Sequence, residues 1–198
     1  MSGMGIGLGL IVGLVALGVF VVILLIVMAM YNSLVRAKVD CDNGWAQIDV
    51  QLKRRYDLIP NLVETVKGYA GHEKGTLEAV IQARQQAVAI TSDSAHAAQK
   101  AEAENMISQA LGRLFALSEA YPQLKADANF RQLQEELTST ENKIGFSRQH
   151  FNDCVGRYEE KRQTFPTNLI AALFNFAKRE YFNVTDATQR EAPRVSFS

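Results

Sequence analysis

"QLKRRYDLIPNLVETV", residues 51–66, sets a proline in the middle of a row of apolar side chains at helical spacing, shortly after three consecutive cations. Proline inside a helix removes one backbone hydrogen bond and clashes with the preceding turn, at a cost of about 3 kcal/mol. Either the helix stops at Ile59, because a residue before proline is biased away from the α region, or it bends and continues. The residues on both sides bear on the choice. Apolar side chains recur at Leu34, Cys41, Trp45, Ile48, Leu52, Tyr56, Ile59, Val63, Val66 and Ala70, in steps of three and four from Cys41 onward. The stripe keeps its phase across Pro60, which favours a helix kinked at Pro60 over one that ends there. In that helix the carbonyl of Tyr56 loses its usual intrahelical donor.

Lys53, Arg54 and Arg55 fall between stripe positions Leu52 and Tyr56. They are expected to point away from the core, as a solvated or subunit-facing edge rather than a phosphate site. Asp49 and Asp57 stand four residues either side of Lys53, an ordinary helix-surface charge pattern.

Upstream, residues 6–30 read IGLGLIVGLVALGVFVVILLIVMAM, 25 residues without a charge. As a helix this run spans roughly 37 Å, enough to cross a hydrocarbon core of about 30 Å with some tilt. A cleaved signal peptide is the rival reading. It fails because no cation precedes the run, the run is too long, and no A-x-A site follows. The run is therefore expected to be an uncleaved single-pass anchor after a five-residue tail (1–5). Arg36 and Lys38 follow it, so the positive-inside rule places the N-terminus outside and the following domain in the cytoplasm. No cap or breaker cluster separates the run from the amphipathic stripe, and one helix is expected from the bilayer to about Ala70.

The glycines of the run carry a second signal. Gly5, Gly9 and Gly13 stand four apart and are followed by Ala16. Small residues on one side of a membrane helix let backbones approach closely, so this face is expected to mediate self-association.

Beyond Ala70 the pattern stays helical. GYAGHEKG (68–75) makes a turn, a short helix follows, and TSDSAHA (91–97) is a polar connection with good N-cap residues. A third helix runs to Tyr121, with Pro122 marking its end or a kink. From Phe130 to Phe165 apolar positions repeat at threes and fours until Pro166. Alternating β-branched ladders are absent, so the expected fold class is all-α: an N-terminal transmembrane helix continuing into a long antiparallel up-down bundle, coiled-coil-like in its seams. The bundle domain is drawn over 31–182, with a short C-terminal helix included, and a polar tail over 183–198. Residues 32–70 and 127–165 should pair antiparallel, each about 58 Å long.

In an up-down bundle of four the last helix returns toward the bilayer. TNLIAALFNFAKREYF (167–182) should then lie near the membrane, with Leu169, Ile170, Leu173, Phe174 and Phe176 followed by Lys178, Arg179, Tyr181 and Phe182. Apolar residues flanked by cations and aromatics suit an interfacial helix; a helix capping the bundle or touching a second copy is the alternative. The same pairing brings Cys41 and Cys154 to nearly equal heights, about 14 and 16 Å from the membrane-proximal end. Two buried thiols in a reducing compartment are the expected state.

Chemistry-bearing constellations are not evident. His72, His96 and His150 are scattered, the two cysteines form no CxxC, and there is no Walker loop, GxGxxG or GxSxG. Glu135-Glu136 and Glu159-Glu160 lie on an amphipathic helix, where a solvated face is expected. Lysine plus arginine (21) cancel aspartate plus glutamate (21), which argues against nucleic acid as a partner. No catalytic residue, metal or cofactor is expected, and no small-molecule substrate is evident.

YNSLVRAK (31–38), GWAQIDVQLKRRYDLIPNLVETVKGYAGHE (44–73), YPQLKADANFRQLQEELTSTENKI (121–144) and FPTNLIAALFNF (165–176) together resemble the LemA family. Phe151-Asn152 and Tyr158-Glu159 depart from the Tyr-Asn pairs usual there. The resemblance implies a bacterial protein of the cytoplasmic membrane with one N-terminal membrane segment and a helical-bundle domain. It implies no agreed biochemical activity; such proteins often accompany membrane-anchored TPM-domain proteins, and relatives take part in magnetosome membrane formation. The function expected is a non-enzymatic scaffold, anchored in the lipid bilayer and homo-oligomeric, that organises the membrane or partner proteins. The alternative is a monomeric accessory subunit of one membrane protein partner.

Overall fold

The computed structural model describes residues 2–183, with side chains described from Leu10 onward; Met1 and the greater part of the polar tail, 184–198, lie outside the described residues. Among the described residues six α-helices follow one another: α1 (Ser2–Ala70), α2 (Lys74–Ala89), α3 (Ala97–Ser118), α4 (Pro122–Ala126), α5 (Ala128–Gln163) and α6 (Thr167–Leu173), with a 3-10 turn at Ser94–His96. The protein is all-α, with one long apolar N-terminal helix. Helix α1 is continuous through Pro60, so of the two readings of that stretch the uninterrupted helix is the one adopted. The fused length follows from the sequence: between the uncharged run and the stripe Asn32-Ser33 is a weak cap candidate, and no glycine or proline accompanies it.

The helix breaks fall where local chemistry puts them. Asp93 caps the 3-10 turn, accepting from the backbone N–H of Ala95 and His96 at 2.9 and 3.0 Å. Pro122 opens α4 at its first turn, where a missing N–H costs nothing. Asp127 accepts from the N–H of Phe130 at 2.9 Å and so caps α5.

Two compact units emerge: one of residues up to Asp40 with Gly156–Lys178, the other of Cys41–Val155 with the chain from Arg179. In the larger unit α1 buries Trp45, Ile48, Leu52, Ile59, Leu62, Val63 and Val66, while α5 buries Phe130, Leu137, Ile144 and Phe151. Each such side chain contributes about 1.5–3 kcal/mol. Gly44 meets Phe151, Arg55 meets Glu141 and Tyr69 meets Asp127. Helix α5 therefore runs antiparallel to α1 and nearly residue for residue. At Gly44 the two helices lie backbone to backbone: a Cβ there would stand 3.3 Å from the Cα of Phe151.

In the smaller unit Ile170 and Ala171 of α6 pack on Leu34, with Val27, Met30 and Phe176 around them. Tyr31 lies against Phe174 and Phe176, with ring centroids 4.9 and 5.8 Å apart. The helical reading of 167–182 is corrected here: α6 ends at Leu173 because Asn175 adopts a positive φ of 53°. The N–H of Phe176 donates to the Ala171 carbonyl at 2.9 Å, and that of Asn175 to Ala172 at 3.4 Å. This is a Schellman termination with asparagine in the left-handed position. The Tyr158 hydroxyl then donates to the Ala177 carbonyl at 2.7 Å, holding the departing chain.

Candidate functional site

Two regions hold the residues that the sequence singles out or that the fold gathers: the apolar end of the smaller unit, and a buried polar network in the larger one.

Along α1 the side chains from Leu10 to Ile26 face outward almost without exception. Gly13 has nothing within 4 Å of a would-be Cβ, and Ala16 is exposed. Gly5 and Gly9 belong to residues 2–9, where the structure describes the helical backbone only. The C-terminal segment divides by destination. Leu169, Leu173 and Phe174 are 60%, 69% and 50% exposed, whereas Ile170 is buried and Phe176 partly so. Lys178 and Tyr181 are exposed.

Arg179 and Phe182 belong to the larger unit instead. Arg179 Nη1 donates to Asp42 Oδ1 at 2.7 Å and also to Ser94 Oγ. Phe182 is 1% exposed, its ring 5.9 Å from that of Trp45. Its backbone pairs with the Asn152 side chain in both directions: the N–H donates to Oδ1 at 2.9 Å and Nδ2 donates to the carbonyl at 3.2 Å. An asparagine side chain here stands in for the neighbouring strand that an extended backbone would otherwise need.

The buried polar network corrects the reading of the basic cluster. Lys53 and Arg54 are exposed, but Arg55 is 3% exposed and lies in the core. Its Nη1 stands 3.2 Å from Glu104 and 2.9 Å from Glu141, and Nη2 donates to Ser108 Oγ at 2.9 Å. One guanidinium thus joins α1, α3 and α5. The reason is angular: Arg55 is three residues after Leu52 and four before Ile59, so it shares their face. The neighbouring Tyr56 hydroxyl donates to Glu104. Arg84 Nε, from α2, donates to the Tyr56 carbonyl at 2.8 Å.

Lys100 is buried too. Its ammonium donates to the carbonyls of Ala87 and Ile90 at 2.8 and 3.2 Å, closing the C-terminus of α2, and sits 5.3 Å from the centre of the Tyr56 ring. Burial pushes the Glu104 carboxyl up, with Arg55 pulling the other way; burial likewise raises the Tyr56 phenol and lowers the Lys100 ammonium. A cleft beside the network is lined by Arg55, Ser108, Phe115, Leu137 and Glu141. The charged groups of the network find their partners within the bundle, and together they tie α1, α2, α3 and α5 to one another. Glu159 is the second correction: it is 5% exposed rather than solvated, with Arg162 Nη2 at 2.9 Å and Gln163 Nε2 at 3.1 Å. Among the described residues no group of three His, Cys, Asp or Glu side chains is placed to hold a metal ion.

The family model described as LemA family matches residues 44–197. Protein LemA of Metamycoplasma hominis is 27% identical over 164 residues, 83% of this chain and 71% of that protein. Magnetosome protein MamQ of Magnetospirillum gryphiswaldense is 22% identical over 175 residues, 77% of this chain and 64% of its own length. Magnetosome protein MamQ 1 of Paramagnetospirillum magneticum is 22% identical over 174 residues, again 64% of its length. The chain therefore spans just under two thirds of the magnetosome relatives. None of these names denotes a catalysed reaction. With the family model covering most of its length, this chain belongs to the LemA family.

Proposed function

We propose that the protein is a membrane-anchored, non-enzymatic scaffold that self-associates through its membrane segment and organises the membrane or the proteins beside it. The observation that carries this reading is helix α1. One unbroken helix holds both an outward-facing uncharged run and the core stripe of a soluble bundle. An apolar surface of that length needs lipid or another apolar helix around it. The open face at Gly13 and Ala16 suits a second copy of the same helix, since small residues permit close backbone approach. Relatives named as magnetosome proteins are compatible with an organising role; the domain is expected to face the cytoplasm.

Size determination of the full chain in mild detergent tests the proposal. A discrete particle several times the mass of one chain is expected, and Gly9→Leu with Gly13→Leu should reduce it while the bundle stays folded. A monomer would favour the alternative, an accessory subunit of one membrane partner.

A further inference from the structure

We infer that α6 is an interfacial foot: it lies in the headgroup boundary of the bilayer beside the end of the membrane helix, and dips Leu169, Leu173 and Phe174 into it. The inference rests on the reading of α1 as a membrane anchor and adds a second lipid-binding element to it. Helix α6 is two-sided. Ile170 and Ala171 face Leu34, Val27 and Met30, and the Phe174 ring rests against Tyr31 while staying half exposed; Leu169 and Leu173 are more than half exposed. Three large apolar side chains left half or more exposed, two on a seven-residue helix and one at its C-cap, are unusual for so short a segment.

Their location names the occupant. Val27 and Met30 belong to the last turn of the uncharged run, Tyr31 follows it directly, and the next charged side chains on α1 are Arg36 and Lys38. Whatever surrounds the run therefore reaches α6 first. Tyr31 with Phe174 and Phe176 forms an aromatic group at that boundary, the composition favoured at headgroup depth. Arg36 and Lys38 are exposed one to two turns further along, and Lys178 is exposed beyond the aromatic group. These three cations match anionic headgroups. Arg179 is excluded from that role, because Asp42 and Ser94 hold it.

The experiment uses the full chain reconstituted in vesicles of phosphatidylcholine and phosphatidylglycerol, with lipid brominated near the top of the acyl chain as a fluorescence quencher. Tryptophan is introduced singly by Leu169→Trp, Leu173→Trp and Phe174→Trp, with Leu17→Trp in the membrane run and Val50→Trp on the exposed face of α1 as references. The α6 sites and Leu17→Trp should lose emission beyond the loss of the unsubstituted protein, whereas Val50→Trp should not. Replacing phosphatidylglycerol by phosphatidylcholine should weaken quenching at α6 and leave Leu17→Trp unchanged. Quenching at Leu17→Trp with none at the three α6 sites, as when a second copy or another protein covers α6, would overturn this inference alone. Absence of quenching at Leu17→Trp would instead overturn the membrane-anchor reading on which it rests.

Discussion

Arg84 Nε donates a 2.8 Å hydrogen bond to the carbonyl of Tyr56, the group in α1 that Pro60 leaves without its i+4 amide donor. A side chain from α2 thus completes a hydrogen bond that the sequence of α1 cannot make for itself. The Pro60 defect and the docking of α2 are one feature, and each has a measurable consequence for the other.

Arg84→Met should destabilise the bundle by about 1–2 kcal/mol, because it leaves a half-buried carbonyl unsatisfied. In a Pro60→Ala background the same change should cost clearly less, since the new amide at residue 60 can donate to Tyr56. Urea unfolding of the four proteins, followed by helical circular dichroism, gives the cycle; equal costs in both backgrounds would show the two residues to be uncoupled.

Removing one member of the buried ion pair should be severe. Glu104→Ala leaves Arg55 short of one carboxylate in the core and should cost about 3 kcal/mol or more. Arg55→Met together with Glu104→Leu should cost less than the two single changes added, as neither charge then remains buried. The same unfolding measurement reads this out, and additivity would refute the coupling.

The raised Glu104 carboxyl gives a definite sign to the pH dependence. Between the ordinary glutamate value and its higher value in the folded protein, the folded state holds a proton that the unfolded chain has released. Its contribution to stability is therefore complete below the ordinary value and is lost as pH rises through the folded one. Glu104→Gln has no such proton to lose. Melting temperatures across mildly acidic to neutral pH should fall for the parent relative to this variant.

Gly44 of α1 stands against α5, and the atom that a Cβ there would meet first is backbone, the Cα of Phe151. Backbone cannot swing away as a side-chain tip can. Gly44→Val should cost about 1–3 kcal/mol through overpacking, and a compensating change Phe151→Leu should recover little of it, because the ring is not the obstacle. Full recovery by Phe151→Leu would place the conflict in the ring instead.

One turn from the Gly44–Phe151 contact, the antiparallel register brings Cys41 and Cys154 to the same level, and both are buried. In a reducing cytoplasm both should be alkylated after trapping of thiols under denaturing conditions. A native Cys41–Cys154 bridge found by mass spectrometry would mean that the domain is exported, and would reverse the topology drawn from Arg36 and Lys38.

The stripe from Trp45 to Ala70 and its counterpart from Phe130 to Tyr158 could be read directly from residue order, because burial along a helix repeats every three to four residues whatever lies opposite. The uncharged run 6–30, the cap residues of 91–97 and the passage of α1 through Pro60 were legible for the same reason: each depends on residues a turn apart. Arg55 and Glu159 were not. A charged side chain on the flank of a stripe is buried only when another helix brings it a partner, and Glu104 lies 49 residues from Arg55. The division of 167–182 was hidden likewise. Asn175 can continue a helix or end it, and contacts of Phe176 with Tyr31 and of Phe182 with Trp45 accompany its ending. Helices and their faces are local physics, encoded within a few turns of chain; which polar groups may be buried, and where an apolar tail divides, is decided by what distant segments place beside them.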